Sequence, residues 1–403
     1  MDLHGNLEGL IDIGSIDKVV QVGQVPSISS LAQRLGRSGR KTQKSILTIY
    51  NLDQWQLLHN IACYELLQEG FLEPNQETKR YDILVQQILS ILKQTSGIRR
   101  QELILKISKN WAFNQIKQTE IKTIIDHLIQ LELVEDLQKE LILGIASQYI
   151  VTSKDFYAVF EAKKGFQVVN KGKTIGELDP PAFGQSSDYI GENIFLSAKV
   201  WKIVDVDDKK GKFFVEKARD GKPPMFLDNG RGEIHPRIRE KMLEIVLNNY
   251  EYKYLDEKSQ IELQDLRNQF KQFQDLHIEE QRPVITKQQK TEIFLFTGSK
   301  IQKTAQKVIE TTDKYLLSNL DSPVSLTLKT DSKSSFNFWQ KLQNTKIDFD
   351  EISRAQLDPE PTKNTLTKYT KYLPIELQIE FYKKLAFDVT GYEVFVFQTK
   401  LRI

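Results

Sequence analysis

Apolar positions along this chain change period several times, and each change predicts a different element. Val19, Val20 and Val22 form a short β-branched run, the pattern of a parallel strand covered on both faces. Pro26 to Ser30 reads as a loop, with Ser29 or Ser30 as N-cap of a helix carrying Gln33 and Arg34. Residues 45–50 supply another strand. From Asp53 to Cys63 the period is helical, Trp55, Leu58, Ile61 and Ala62 sharing one stripe, and Gly70 ends the helix. Helices follow at 81–95 (Leu84, Ile88 and Ile91 inward), 99–108 and 119–131 (Ile121, Ile124, Ile125 and Leu128 inward), then a strand-like stretch at 141–151. Three helices and a hairpin make a winged helix over 81–155.

From 155 to 217 the period becomes two. Strands are expected at 156–160, 166–169, 174–178, 194–196, 200–204 and 213–215, and a small barrel or sandwich is their natural packing. Residues 237–282 read as helical, with Met242, Ile245 and Val246 on one face. Beyond them, strands at 293–296 and 325–328 mix with helices at 301–317, 336–344 and 375–386.

A chain of 403 residues has room for about two to four domains. The net charge of +2 does not announce a nucleic-acid binder, so any basic surface must be local. Lys and Arg cluster at 34–44, 99–109, 163–173, 209–223 and 231–241, each run alone reading first as a solvated face. The single cysteine, Cys63, excludes an intramolecular disulfide and reads as a core residue. His4, His59, His127, His235 and His277 show no ligand spacing, so no metal site is expected. No apolar run reaches the length of a membrane span, and the N-terminus is not a signal peptide; a cytoplasmic protein is the expectation.

The candidate chemistry lies in Gln33-Arg34-Leu35-Gly36-Arg37-Ser38-Gly39-Arg40. Glycines let the backbone approach a nucleotide, and guanidinium forks suit the charge on a transferring γ-phosphate. The octet reads Q-R-x-G-R-x-G-R and resembles the arginine motif that closes the second motor domain of superfamily 2 helicases. Asn6-Leu7-Glu8-Gly9-Leu10-Ile11-Asp12-Ile13-Gly14 looks like motif V of the same domain, with Asn6 at the usual threonine and the Leu-Gly pair inverted. Residues 10–40 resemble the second RecA-like domain of Lhr-type (large helicase-related) ATP-dependent helicases. The resemblance implies that Arg37 and Arg40 face the γ-phosphate as the catalytic arginines. It places Gln33, Gly36 and Asp12 at the nucleotide.

Met1 sits just ahead of motif V, and no G-x-x-x-x-G-K-[ST] loop or D-E-x-[DH] motif occurs in the sequence. Gly172-Lys173-Thr174 is a decoy: Gln167 stands where the first loop glycine belongs, and the segment reads as strand and turn. ATP and Mg²⁺ are therefore expected only where a first RecA-like lobe completes the site, and the chain alone is expected to be inactive.

The resemblance continues through Gly176-Glu177-Leu178-Asp179, Phe195-Leu196…Trp201 and Gly221…Arg237, which look like the family's post-motor domain. Tyr372 to Gln378 and Phe387 to Val389 look like its C-terminal part. Phe226 is a candidate for stacking on unpaired bases, with Arg231, Arg237 and Arg239 as phosphate contacts. Trp201, mid-strand, reads as core ahead of stacking.

The expected architecture is multidomain α/β and α+β. A RecA-like remnant spans 1–50, a helical connector 51–80 and the winged helix 81–155; a β-barrel-like/α+β C-terminal domain, β-rich over 156–217 and mixed over 218–403, completes the chain. The function implied is the C-terminal part of a 3′-to-5′ translocase on single-stranded DNA or RNA, in repair, with a separate chain as one source of the missing lobe. The alternatives are a non-catalytic nucleic-acid-binding module and a truncated product without ATPase activity.

Overall fold

In the computed structural model, residues 17–38, 45–74, 78–159, 166–178, 189–196, 199–208, 210–219, 233–313, 322–357 and 367–403 are described. β1 (Val19–Val22) and β2 (Leu47–Tyr50) pair in parallel, Val19 opposite Leu47. Cover on both faces, expected from the β-branched run, is not found: Val20 and Val22 are 55% and 65% exposed. Among the described residues this sheet has two strands, and only the face carrying Val19 and Gln21 turns inward.

α1 (Ile28–Leu35) begins at Ser27, not at Ser29 or Ser30. Ser27 is extended, and its hydroxyl accepts the Ser30 N–H at 3.0 Å, whereas the two later serines already lie inside the helix. α2 (Gln54–Gln68) starts at Asp53, whose carboxylate takes the N–H groups of Trp55 and Gln56 at 2.8 Å. The segment read as a connector is a core helix: every residue from Gln56 to Cys63 is buried, more than two turns all round.

α3 (Tyr81–Thr95), α4 (Arg100–Ser108) and α5 (Gln118–Gln130) match their predicted spans closely, and Ile121, Ile124, Ile125 and Leu128 are fully buried. β3 (Val134–Asp136) and β4 (Leu141–Leu143) form an antiparallel hairpin. The strand expected to run to Val151 stops at Leu143. A Cβ at Gly144 would stand 2.1 Å from the Glu132 carbonyl oxygen, so the backbones cross there and the chain turns into a 3₁₀ turn and α6 (Gln148–Thr152).

The strand expected at 156–160 is absent over its described residues. Phe156 lies in a turn, buried against the rings of Tyr157 and Tyr369 at 4.8 and 6.3 Å, and Tyr369 Oη donates to its carbonyl. β5 (Phe166–Asn170), β6 (Lys173–Leu178), β7 (Asn193–Leu196), β8 (Lys199–Asp207) and β9 (Lys212–Lys217) form one sheet in the order β6-β5-β9-β8-β7. Its β5–β9 pair is parallel and the rest antiparallel. The sheet curls enough for Leu196 on β7 to press on β6 at Gly176, where a Cβ would be 2.8 Å from Leu196 Cδ2. Among the described residues no hydrogen-bonded pairing joins β6 to β7, and no second sheet packs on this one as a sandwich requires.

α7 (Pro236–Leu247) buries Met242, Ile245 and Val246 as predicted, and α8 (Glu257–Gln269) follows. The helical reading to 282 ends early, since β10 (Gln281–Lys287) pairs with β11 (Lys290–Phe294). α9 (Ser299–Thr312), β12 (Ser325–Leu328), α10 (Ser332–Gln343), α11 (Phe349–Leu357), α12 (Ile375–Ala386), α13 (Val389–Gln398) and β13 (Lys400–Arg402) complete the chain. β13 returns beside β10 in parallel, giving the order β12-β11-β10-β13. The protein is thus a mixed α/β chain with several small sheets.

The described residues fall into two units, neither continuous in sequence. One draws on Met1–Thr78, Gly232–Ser353 and Tyr382–Ile403, the other on Lys79–Arg231 and Arg354–Phe381. The first unit has a core in which Leu31 of α1, Leu58 and Ile61 of α2, Met242 of α7, Leu266 of α8 and Phe294 of β11 belong to one cluster.

Candidate nucleotide and nucleic-acid interface

The arginine motif is set by what holds the turn between β1 and α1. Polar side chains buried in α2 grip that turn. Asn60 Oδ1 accepts the Val25 N–H at 2.9 Å, while Asn60 Nδ2 donates to the Gly23 carbonyl at 3.1 Å and to Asn51 Oδ1 at 2.6 Å. His59 Nε2 lies 3.0 Å from the Val25 carbonyl oxygen and 3.3 Å from Cys63 Sγ. Burial pushes the Cys63 thiol far up, so it stays protonated and acts as a core group. Glu73 caps α1 from outside the helix, its carboxylate taking the N–H groups of Ile28 and Ser29 at 2.6 and 3.1 Å. These donors are occupied from within the fold, leaving the α1 N-terminus no anion-binding role.

At the other end of α1 two motif residues tie the helix to the rest of the fold. Arg34 Nη1 donates to Gln21 Oε1 on β1, tying the helix to the strand. Ser38 is 3% exposed; its hydroxyl donates to the Leu35 carbonyl at 3.1 Å and accepts the Ile46 N–H at 3.2 Å, fixing the motif to the approach of β2. Gln33 and Gly36 are exposed and Arg37 is half-buried. Gly36 is in the right-handed helical region, so its use is the absence of a side chain rather than an unusual φ. Arg40 and Asp12 lie outside the described residues, as do Phe226 and Arg231.

The second basic segment is committed to internal partners. Arg237 pairs with Glu244 and lies 3.8 Å from Glu240 and 4.0 Å from Glu69. Burial would raise the Glu244 carboxyl, but the hydrogen bonds from Arg237 and Lys241 outweigh it and hold the carboxyl below the usual glutamate range. Arg239, expected at phosphate, is 2% exposed, with Nη1 3.3 Å from Met242 Sδ; its position in α7 turns it into the core beside Ile238. His235 caps α7 by accepting the Arg237 N–H at 3.2 Å. Trp201 is half-buried on β8 and its Nε1 donates to the Leu196 carbonyl at 3.1 Å, against the small sheet's core. Lys171-Gly172 is the two-residue turn joining β5 to β6, consistent with strand and turn at the decoy sequence.

A cleft of about 260 Å³ in the first unit is lined by Glu73, Glu233, His235, Lys300 and Asp388 among others. Its one lysine already pairs with Glu233 at 3.2 Å, so three carboxylates dominate and repel a phosphate. Among the described residues no cluster of His, Cys, Asp and Glu could hold a metal ion, and no helix is long and apolar enough to cross a membrane.

No family model and no curated protein matches the sequence. Among solved structures, the chain is similar to the Mycobacterium smegmatis helicase Lhr bound to ssDNA and AMP-PNP, with TM-score 0.54 and 12% identity over 98% of this chain and 56% of that one. The chain shares its fold with part of that helicase. It spans little more than half the length of that Lhr chain. Two structures of the DUF1998 helicase MrfA, bound to DNA and to DNA with AMPPNP, align over 94% of this chain at 12% and 11% identity, covering 50% and 51% of theirs. Their TM-scores of 0.34 and 0.33 carry no fold argument.

The sequence pattern picked out the motif but missed its supports, Asn60, His59 and Glu73. A signal for two of them was present: His59 and Asn60 interrupt the apolar face of α2 with adjacent polar side chains, and a buried polar side chain needs a partner.

Proposed function

We propose that this chain is the part of an Lhr-type ATP-dependent helicase that presents Arg37 and Arg40 to the γ-phosphate and guides a single nucleic-acid strand through its later domains. The winged helix at 81–155 and a barrel-like domain built on β5 to β9 are the strand-guiding parts. A first RecA-like lobe, in the same or another chain, brings the phosphate-loop lysine and the carboxylates for Mg²⁺.

One observation carries the reading. The described residues of the Q-R-x-G-R-x-G-R octet, Gln33 to Ser38, stand at the end of a helix that follows a strand of a parallel pair, in a chain that shares its fold with part of the helicase Lhr. As water attacks the γ-phosphorus, charge grows on the leaving and equatorial oxygens, and a guanidinium held there stabilises it. Arg34 and Ser38 fix the backbone on either side of Arg37.

The test is DNA-stimulated phosphate release by this chain fused to an Lhr-type first lobe. Turnover with the intact motif and a loss of roughly 10³-fold in Arg37→Ala are expected. Turnover that survives Arg37→Ala unchanged would overturn the assignment, as would steady hydrolysis by the chain without a first lobe.

A further inference from the structure

The turn between α4 and α5 carries an indole that the fold does not use. Trp111 is 78% exposed, whereas Trp339 is 3% exposed, Trp55 packs among Phe270, Phe294 and Phe296, and Trp201 is half-buried. The local geometry drives Trp111 outward. Asn110 caps a single 3₁₀ turn, taking the Ala112 N–H on its side chain at 3.0 Å, and that turn points Phe113 and Ile116 into the core at 3% and 5% exposure. Phe113 and Ile116 lie three residues apart on one side, so Trp111 falls on the other. Among the described residues nothing hydrogen-bonds, ion-pairs or stacks with the Trp111 side chain.

The surroundings are basic. From Leu105 to Thr123 the chain has four lysines, Lys106, Lys109, Lys117 and Lys122, all exposed and none in an ion pair among the described residues. The one carboxylate in that stretch, Glu120, is drawn inward. It pairs with Lys79 at 2.6 Å, accepts from Tyr81 Oη at 2.7 Å and from the Lys117 N–H at 2.7 Å, and so does not offset the lysines. Acidic Asp126, further along α5, is bound to Arg100. A bare indole whose chain neighbours include four exposed lysines, none of them in an ion pair among the described residues, suits an anionic partner that presents a flat apolar face. An unpaired base on a phosphate backbone has that chemistry; a protein surface would need a matching apolar cavity.

We infer that Trp111 is a base-stacking residue for single-stranded nucleic acid, with Lys106, Lys109, Lys117 and Lys122 contacting the flanking phosphates. The inference rests on the proposed helicase reading and adds a contact point that the arginine motif does not predict. Stacking asks nothing of the base sequence, so binding there is sequence-tolerant and weakens as salt rises.

The experiment is a fluorescence-anisotropy titration of labelled dT16 with the purified chain, over a range of salt, for wild type, Trp111→Ala, Trp111→Phe and Lys106→Ala/Lys109→Ala. Circular dichroism and melting temperature confirm that the variants fold; an exposed side chain leaves both unchanged. The expected result is salt-dependent binding that falls roughly 5- to 100-fold in Trp111→Ala, is largely restored in Trp111→Phe, and shows a shallower salt slope in the lysine variant. Wild-type binding matched by Trp111→Ala overturns the stacking role and leaves the helicase reading standing. No binding by wild type overturns both. Wild-type self-association in sedimentation that Trp111→Ala abolishes, with dT16 affinity unchanged, assigns the indole to a protein contact and overturns the inference.

Discussion

The two arginine-bearing segments of the first unit look alike in sequence and differ in what their charges do. Arg34 and Arg37 flank the end of α1, where Arg34 ties the helix to Gln21 on β1. Arg237 and Arg239 open α7 and are both engaged internally, one by three carboxylates and one by the core. Tertiary neighbours decide whether a guanidinium is spent on internal partners, as those of Arg237 and Arg239 are, and nothing in the spacing of arginines reports that.

The largest expected effect that tests this contrast is on turnover. In a motor completed by a first lobe, Arg37→Ala should lower kcat by roughly 10³-fold while Arg237→Ala changes it by less than about threefold. Equal losses would dissolve the distinction between the segments.

Next in size is the support for the motif. Asn60→Ala strips partners from the buried Val25 N–H and Gly23 carbonyl, and should cost about 2–4 kcal/mol in urea unfolding. A cost near zero would mean that the turn before α1 is held by other groups. Arg237→Ala, by contrast, removes one member of a partly exposed network in which Lys241 still faces Glu244 at 3.1 Å, and should cost less than about 1 kcal/mol.

The smallest effect is a pH dependence. Glu244 has a depressed folded pKa, so its contribution to stability is fully present above the ordinary glutamate value of 4.5 and is lost as pH falls through the folded value. The difference in melting temperature between wild type and Glu244→Gln should therefore be largest near neutrality and shrink below about pH 4.5. A difference that grows on acidification would mean the carboxyl is not stabilised in its charged form.

Legibility followed local chemistry. The three helices at 81–130 were readable because a helix that buries one face writes a 3.6-residue period into the sequence. α2 was readable as a helix with one inner stripe but not as a helix buried all round, since Gln56, His59 and Asn60 are polar and only their tertiary partners enclose them. Phe156 read as strand because aromatic and β-branched residues favour strands, yet its environment is set by Tyr369, 213 residues away. Val20 and Val22 read as covered, although β-branching reports strand preference and says nothing of how many layers pack on the sheet.

The sequence by itself determined the helix and strand positions over most of the described chain, the arginine octet, and the resemblance to Lhr-type helicases that the fold comparison supports. Those are properties of residues close together in the chain, where periodicity, caps and spacing act. Tertiary structure alone decided that residues from three separate stretches build one unit, that polar side chains of α2 hold the motif in place, that Arg239 is buried, and that Trp111 is left bare. Each depends on which distant groups meet, and burial and charge compensation exist only once they have met.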